Sequence, residues 1–367
     1  MAYTTIDDPS LYFTTKLYTS TYSSGSGSGA TINVTLDATN DFAVDLVWIK
    51  CRSVGDNHVI ADRVRGANKN LHPNTTDAEA TNTDEVTAFG DNGFTVGNND
   101  TVNRDGASST YVAWCWKAGT SFSNDASATS IGDIDSTGSA SDTAGFSIVQ
   151  WVGTGSNAGI KHGLSTKPSM IITKPTSAVG SYYTYHKSPD ATDFLKLNDN
   201  DATADNATVW NDTEPTTSVF TTGTAFDSGR TFIAYCFSEK QGYSKFGSYK
   251  GNGNADGTFC FLGFKPAFLM IKRSSNTDNW YIKDNKRSGT AANQNFGQHN
   301  PNSTQHPSAN NSSAENKASA FAIDILSNGF KLRGTDAGIN QSGETYIFMA
   351  LAEAPFVNSK GVPCNAR

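Results

Sequence analysis

Three short phrases, each occurring three times in the same order, constrain this chain more than any other feature of its sequence. The first is an apolar run that ends in lysine: DLVWIK at 45–50, SMIITK at 169–174 and AFLMIK at 267–272. The second begins with threonine: TYVAWCW at 110–116, TFIAYCF at 231–237 and TYIFMAL at 345–351. A phrase built on phenylalanine lies between them: GFTVG at 93–97, VFTTG at 219–223 and GFKLRG at 329–334. Such regular repetition indicates that one structural unit occurs three times.

The repeated phrases have the composition of β-strands. They are short, rich in β-branched and aromatic residues, and bounded by Gly, Asn, Asp and Ser, which is typical of all-β domains. In residues 110–116, alternation sends the odd-numbered side chains to one face of a strand and the even-numbered ones to the other. Both sets are largely apolar. We therefore expect this strand to be covered on both faces.

The sequence predicts an all-β fold of three tandem β-sandwich modules, jelly-roll-like, with long loops. Lys50, Lys174 and Lys272 are expected at equivalent positions of the three modules. Residues 120–143 have the Ser, Thr, Gly and Asp content of a linker. The predicted boundaries are 1–119 for module one, 120–143 for the linker, 144–241 for module two, 242–356 for module three with a polar insertion at 289–317, and 357–367 for the C-terminal tail.

Charge and cysteine content exclude some classes of partner. The chain has 28 Lys and Arg against 35 Asp and Glu, a net charge of −7 without a basic cluster, which argues against a nucleic-acid partner. No apolar run is long enough to predict a membrane span, and the N-terminus lacks the pattern of an export signal. The five cysteines (51, 115, 236, 260 and 364) have no metal-binding spacing. We expect reduced thiols and synthesis in a reducing cytoplasm.

The search for catalytic motifs predicts no enzyme, no cofactor and no metal site. One polar constellation recurs, at 62–65 (DRVR) and at 284–287 (DNKR), with His186 and Lys187 at the matching place in module two. A carboxylate or imidazole beside a cation has the chemistry of a general base. Because a chain seldom needs three active sites, the recurrence favours an ion pair at the end of a strand.

Acidic and aromatic side chains supply the remaining candidates for binding. Asp199, Asp201 and Asp205 have oxygen ligands suited to calcium, but their spacing does not match a calcium loop, and solvated turn acids are the favoured interpretation. Trp48, Trp114, Trp116 and Trp280 lie in predicted strands and are expected in cores. The candidates for a surface-binding site are Trp151 and Trp210, beside turn-rich loops, and His299 and His306, in the insertion.

Five phrases are distributed along the chain: DLVWIK at 45–50, GFSIV at 145–149, GYSKFGSY at 242–249, LSNGFKL at 326–332 and AEAPF at 352–356. In these phrases the sequence resembles a family of repeat-bearing virion and tail proteins encoded by marine bacteriophages. The resemblance covers nearly the whole chain except the insertion 289–317. It implies a structural protein of the virion, built from a domain of unknown function, with no catalytic residues to carry over.

We expect a virion protein that is associated with the tail, assembled in the host cytoplasm and in contact with a host surface glycan or protein. The alternatives are a head decoration protein and a glycan depolymerase of the tail. Neither the insertion 289–317 nor the polar end 354–367 has enough apolar content to order itself. We therefore expect a homo-oligomer, for which a trimer is one candidate, with one of these segments against another copy. The alternative is that both segments lie over their own module and are held there by backbone hydrogen bonds. Other virion proteins are the further expected partners.

Overall fold

The computed structural model describes residues 3–21, 31–37, 42–106, 108–287, 302–303, 306–316 and 318–364. The protein is all-β, with 44% strand and 7% helix. Every pairing between its strands is antiparallel. We divide the chain by its three main sheets into region one (13–116), region two (120–238) and region three (244–355).

Region one contains a six-stranded sheet in the order β1-β9-β3-β4-β5-β6 and a three-stranded sheet in the order β2-β8-β7. Its elements are β1 (Phe13–Thr19), β2 (Ile32–Thr35), β3 (Leu46–Cys51), β4 (Val59–Asp62), β5 (Lys69–Leu71), β6 (Ala80–Thr81), β7 (Val86–Gly90), β8 (Gly93–Val96), α1 (Asp100–Asn103) and β9 (Thr110–Trp116). A 3-10 turn at Pro9–Leu11 precedes them.

Region two contains an eight-stranded sheet and a two-stranded sheet. Its elements are β10 (Thr120–Asn124), α2 (Ala126–Thr129), β11 (Ser136–Ser141), β12 (Phe146–Val152), β13 (Ala158–Lys161), β14 (Pro168–Pro175), β15 (Tyr183–His186), β16 (Asp193–Lys196), β17 (Ala204–Asp205), α3 (Ala207–Trp210), β18 (Val219–Thr222) and β19 (Thr231–Ser238). The large sheet has the order β10-β11-β12-β19-β14-β15-β16-β17, and β13 pairs with β18. The segment 120–143, whose composition predicts a linker, thus contributes two strands to this sheet.

Region three contains two four-stranded sheets. Its elements are β20 (Ser244–Lys250), β21 (Phe259–Phe261), β22 (Phe264–Arg273), β23 (Trp280–Asp284), β24 (Asn302–Ser303), a 3-10 turn (Ser319–Phe321), β25 (Ile323–Leu326), β26 (Gly329–Leu332), α4 (Ala337–Asn340) and β27 (Thr345–Pro355). The two sheets have the orders β20-β27-β22-β23 and β21-β26-β25-β24.

Each region has its own apolar core between its large sheet and its small sheet. The opposite faces of the three large sheets meet in a fourth core that all three regions share. β9 lies between these two environments: Tyr111, Ala113 and Cys115 face the core of region one, while Trp114 and its even-numbered neighbours face the shared core. The prediction that residues 110–116 are covered on both faces is therefore confirmed, as is the burial of Trp48, Trp114, Trp116 and Trp280.

The described parts of the insertion and of the tail lie against the same chain. The Ile282 amide donates to the Pro307 carbonyl at 3.1 Å, and the Glu315 amide donates to the Arg52 carbonyl at 2.9 Å. In the tail, the Ser359 hydroxyl donates to the Asp7 carboxylate at 2.6 Å. Intrachain hydrogen bonds therefore hold the described parts of these two segments in place.

Candidate functional site

The three repeated lysines occupy one register. Each lysine lies opposite the third residue of the threonine-initiated phrase, and each is fully buried. The opposed pairs are Lys50 and Val112, Lys174 and Ile233, and Lys272 and Ile347. The predicted equivalence of the three positions is confirmed by this pairing.

Each lysine ammonium group donates to two backbone carbonyls. One acceptor lies six residues further along the same region. These bonds join Lys50 to Asp56 at 2.8 Å, Lys174 to Gly180 at 2.7 Å and Lys272 to Asp278 at 2.7 Å. The lysine therefore closes the loop that follows its own strand.

The second acceptor always belongs to a different region. Lys50 of region one donates to Ser312 of region three at 3.1 Å, Lys174 of region two to Thr76 of region one at 3.0 Å, and Lys272 of region three to Asn200 of region two at 3.0 Å. Each region thus donates a lysine hydrogen bond to one neighbouring region and accepts one from the other. The three regions form a closed ring with one type of contact at all three seams.

A backbone hydrogen bond repeats beside each lysine. The acceptor is the carbonyl two residues after the lysine, and the donor amide comes from the neighbouring region. The pairs are Glu315 to Arg52, Glu79 to Thr176 and Thr203 to Ser274, all at 2.9 Å. Because backbone groups need no particular side chain, this contact persists where the sequences of the regions differ.

The recurrent polar constellation lies at the same seams. Arg65 donates from Nε to Asp62 at 2.6 Å and from its terminal nitrogen to Glu79 at 3.1 Å. The hydroxyl of Tyr235, from region two, donates to the Asp62 carboxylate at 2.8 Å. Both side chains of the Asp62–Arg65 pair are at most 1% exposed. Arg65 has a raised pKa because the attraction of Asp62 and its neighbours outweighs the opposing effect of burial, the largest single influence on it.

Region three repeats this arrangement at its seam with region one. Arg287 donates to Asp284 at 2.6 Å and to Glu315 at 2.8 Å. The indole nitrogen of Trp114, from region one, donates to Asp284 at 3.0 Å. The predicted ion pair at the end of a strand is confirmed in both regions.

Region two has an imidazole at the matching position. Nε2 of His186 donates to the Phe348 carbonyl of region three at 3.1 Å, and Nδ1 accepts from the Ser188 amide. Burial lowers the pKa of His186 to about 4. The ring is therefore neutral at pH 7, and it links two regions as Tyr235 and Trp114 do at the other seams.

Burial lowers the pKa of Lys50, Lys174 and Lys272 to about 8 in each case. Above this value the folded protein releases protons that the unfolded chain still holds, because a solvated lysine titrates near 10.5. The lysines therefore make stability rise with pH between about 8 and 10.5. Buried thiols oppose this rise above their unfolded pKa, near 9, because burial raises the folded pKa of Cys115, Cys236 and Cys260.

We expect Lys272→Met to reduce the slope of unfolding free energy against pH, between pH 8 and 9, by up to about 1.4 kcal/mol per pH unit, the linkage value for one proton. Urea unfolding at closely spaced pH values measures this slope. The control is Lys265→Met, since Lys265 forms a partly exposed ion pair with Glu353, and we expect it to change the slope less than Lys272→Met does. Equal slopes in wild type and Lys272→Met would contradict the prediction.

The three predicted surface-binding residues that the structure describes, Trp151, Trp210 and His306, are buried. Trp151 and Trp210 are each 2% exposed, because strand alternation and the short helix α3 turn both indoles into the core of region two. The prediction that they are exposed is therefore wrong. His306 is also 2% exposed and packs on Phe321 with ring centres 4.1 Å apart. His299 lies outside the described residues.

The predicted acidic cluster surrounds a lysine. Asp199 and Asp201 lie 3.9 and 3.8 Å from the ammonium group of Lys196. Asp205 lies in β17, opposite Asp193. Within the described ranges, no group of three or more His, Cys, Asp or Glu side chains is arranged to hold a metal ion.

The thiols offer a simple test of the core packing. Cys51, Cys115, Cys236 and Cys260 are buried and free, and Cys364 is exposed and free. We expect a thiol reagent to label one cysteine in the native protein and five in denaturant, as counted by intact mass. Fewer than five labels after denaturation would indicate a disulfide.

The lysines recur in the sequence, but nothing in the sequence indicates that they join different regions. Their acceptors are backbone carbonyls in loops of unrelated sequence. The donors to Asp284 and Asp62 can be recognised in the sequence. Trp114 and Tyr235 both occupy the fifth position of the threonine-initiated phrase.

These features define an all-β protein of sandwich-like sheets, whose buried charges are used in contacts between its regions. Among the described residues no helix is long and apolar enough to cross a membrane. Residues 8–355 match the family described as a domain of unknown function (DUF7483), and the chain belongs to that family. No curated protein and no solved structure matches it.

Proposed function

We propose that this chain is a structural protein of a bacteriophage virion, associated with the tail and in contact with the host surface. Its three regions would be copies of one jelly-roll-like β-sandwich module, fused in tandem and closed into a ring. The resemblance of five phrases, among them DLVWIK at 45–50 and AEAPF at 352–356, to phage virion proteins supports the assignment to a virion. The contacts between the three regions support a structural role.

The observation that carries the proposal is the triple seam of lysine to carbonyl bonds. Three seams around a ring are the contacts that a cyclic trimer of separate subunits would make. Fusion into one chain fixes the local concentration of each module at its neighbours and makes closure of the ring intramolecular. Such a ring is a rigid block suited to assembly.

The buried polar groups described above have roles in folding. The lysines, Arg65, Arg287 and His186 each donate to groups of the chain itself. A site for chemistry needs such groups free to meet a substrate. Their use in the seams supports a structural protein over an enzyme.

A glycan depolymerase is the alternative that the geometry favours less. Asp125 and Asp135 line one open cleft of region two, and two carboxylates across a cleft are the equipment of a glycosidase. However, Asp125 accepts from Ser127 and Ala128, and Asp135 accepts from the Ala126 amide. The bond from Ser127 lowers the pKa of Asp125, whereas a general acid needs a raised pKa.

Purified virions of the phage that encodes this chain provide the test. We expect the intact chain in such particles by mass spectrometry, and gold-labelled antibody to the chain on their tails in electron micrographs. Absence from purified particles, with abundant chain in the infected lysate, would contradict a virion role. Label on the head would replace the tail assignment with that of a decoration protein.

Host polysaccharide provides the second measurement. We expect the purified chain to leave its viscosity and reducing-end content unchanged, and Asp125→Asn to behave like wild type. Release of reducing ends by wild type and not by Asp125→Asn would favour the depolymerase instead.

A further inference from the structure

An exposed aromatic pair lies on the edge strand β21 of region three. Phe259 is 43% exposed and Phe261 is 55% exposed. Alternation points both away from the core, whereas Cys260 between them faces inward. β21 pairs with β26 on one side only, and no described strand or bridge pairs with its other side.

The backbone of this edge is available for pairing. Thr258 accepts from Leu332, and Leu262 donates to Asn328, so these flanking residues bond towards the small sheet. In an antiparallel ladder the intervening odd positions direct their amide and carbonyl groups the opposite way. Phe259 and Phe261 therefore present main-chain groups together with aromatic rings.

Region two has the same strand, and there the chain itself covers it. The equivalent strand β13 is identified by its partner, because β18 and β26 both derive from the phenylalanine phrase. Ile134 forms a parallel bridge to Ile160 of β13. The Asp133 amide donates to the Gly159 carbonyl at 2.8 Å, and the Gly159 amide donates to the Asp133 carboxylate at 2.7 Å. An acidic, extended segment thus forms hydrogen bonds with the main chain at this edge of β13.

Region three cannot supply such a segment from its own preceding chain. The cover of region two comes from the long stretch between β9 and β12, which includes α2 and β11. Between β19, which ends at Ser238, and β20, which begins at Ser244, the connection is too short to reach back over β21.

In region one the edge of the equivalent strand carries polar side chains. The equivalent outward positions of its strand β2 are Asn33 and Thr35, both exposed and polar. Asn33 accepts from the Thr95 hydroxyl of the neighbouring strand at 2.8 Å. Polar side chains are a usual way to keep an edge strand from pairing. Among the three equivalent strands, β21 combines an uncovered edge with large aromatic side chains.

Charge identifies the kind of segment that fits. The ammonium group of Lys245 lies 5.9 Å from the centre of the Phe261 ring. Lys331 lies opposite Phe259 and forms an ion pair with the exposed Asp256. Because Asp256 already compensates Lys331, Lys245 is the cation that an incoming carboxylate would meet. In the parallel bridge of Ile134 to Ile160, Asp135 falls at the position equivalent to Phe261. A strand that carries a carboxylate there would therefore approach Lys245.

We propose that the Phe259–Phe261 edge of β21 binds an extended, acidic segment of another protein, which pairs with β21 as residues 133 and 134 pair with β13. Main-chain hydrogen bonds would give affinity, and the two rings with Lys245 would select apolar and acidic side chains. The inference rests on the equivalence of the strands and does not depend on the virion role.

The probe is a synthetic peptide with the sequence SIGDIDS of residues 130–136, added to the full chain. We expect saturable binding by fluorescence anisotropy and slower amide exchange at residues 258–262 by mass spectrometry. The double variant Phe259→Asn, Phe261→Thr carries the residues of region one at these positions, and it should bind at least ten-fold more weakly. Lys245→Glu should weaken binding similarly, and a peptide with lysine in place of both aspartates should fail to bind.

Val179→Thr is the control, since Val179 is an apolar residue of region two that is 63% exposed. It should bind the peptide as wild type does. Equal binding by the double variant, or no protection at 258–262 at saturating peptide, would overturn the proposal. A concentration-dependent dimer in sedimentation that the double variant abolishes would assign the edge to a second copy, and retention on host glycan lost in the double variant would assign it to a sugar. Either result also overturns it.

Discussion

Asp284→Ala is expected to lower the free energy of unfolding by about 3–5 kcal/mol, the usual cost of removing one partner of a buried ion pair. The guanidinium of Arg287 is fully buried against Asp284 and Glu315. Alanine leaves this cation with one carboxylate and also orphans the indole nitrogen of Trp114. Urea unfolding at pH 7, followed by tryptophan fluorescence, measures the loss.

Asp324→Ala is the matched control for this prediction. Asp324 accepts from Arg333 at the same distance, 2.6 Å, but the Arg333 side chain is 40% exposed. Water can replace the carboxylate there, so we expect a loss of less than about 1 kcal/mol. Similar losses in the two variants would contradict the assignment of Asp284 to a buried network.

Trp114→Ala is expected to cost about 3–5 kcal/mol, the range for removing a large aromatic side chain from a core. The Trp114 ring meets Phe268 of region three at 5.9 Å between centres and lies under the guanidinium of Arg287 at 5.3 Å. Because the shared core belongs to all three regions, we expect the entire calorimetric transition to move to lower temperature. A shift confined to one of two transitions would show that the regions unfold independently.

Trp114→Phe separates packing from hydrogen bonding at the same position. Phenylalanine retains an aromatic ring in the shared core but cannot donate to Asp284. The loss should therefore be smaller than for alanine and should include about 1.5–3 kcal/mol for a hydrogen bond to a charged group. If Trp114→Phe is as destabilising as Trp114→Ala, the volume of the side chain is not the main contribution.

The repeated phrases made much of the fold predictable. Strand alternation placed Tyr111 and Trp114 on opposite faces of one covered strand, and the structure has them in two different cores. The register of Lys50, Lys174 and Lys272 followed from the spacing of the phrases. These predictions succeed for two reasons. Side chains alternate between the two faces of a strand, and strands that pair in the same way keep the same register.

Loops were predicted less well. Composition indicated a linker at 120–143, yet β10 and β11 extend the sheet of region two, because hydrogen bonding to β12 overrides weak strand preference. Trp151 and Trp210 were expected at the surface because turn residues surround them. The structure buries both in the core of region two, since a nearby turn does not fix the direction of a side chain.

The sequence by itself determined the strand class, the recurrence of the three phrases and the ion pairs at strand ends, since each can be recognised in short segments of the chain. Only the tertiary structure decided which regions meet. The lysines reach carbonyls of Ser312, Thr76 and Asn200, and backbone acceptors have no signature in a sequence. It also decided which edge strands stay open: Ile134 covers β13, whereas Phe259 and Phe261 remain exposed on β21. Whether an edge is covered depends on the path of the intervening chain, which local residue preferences do not specify.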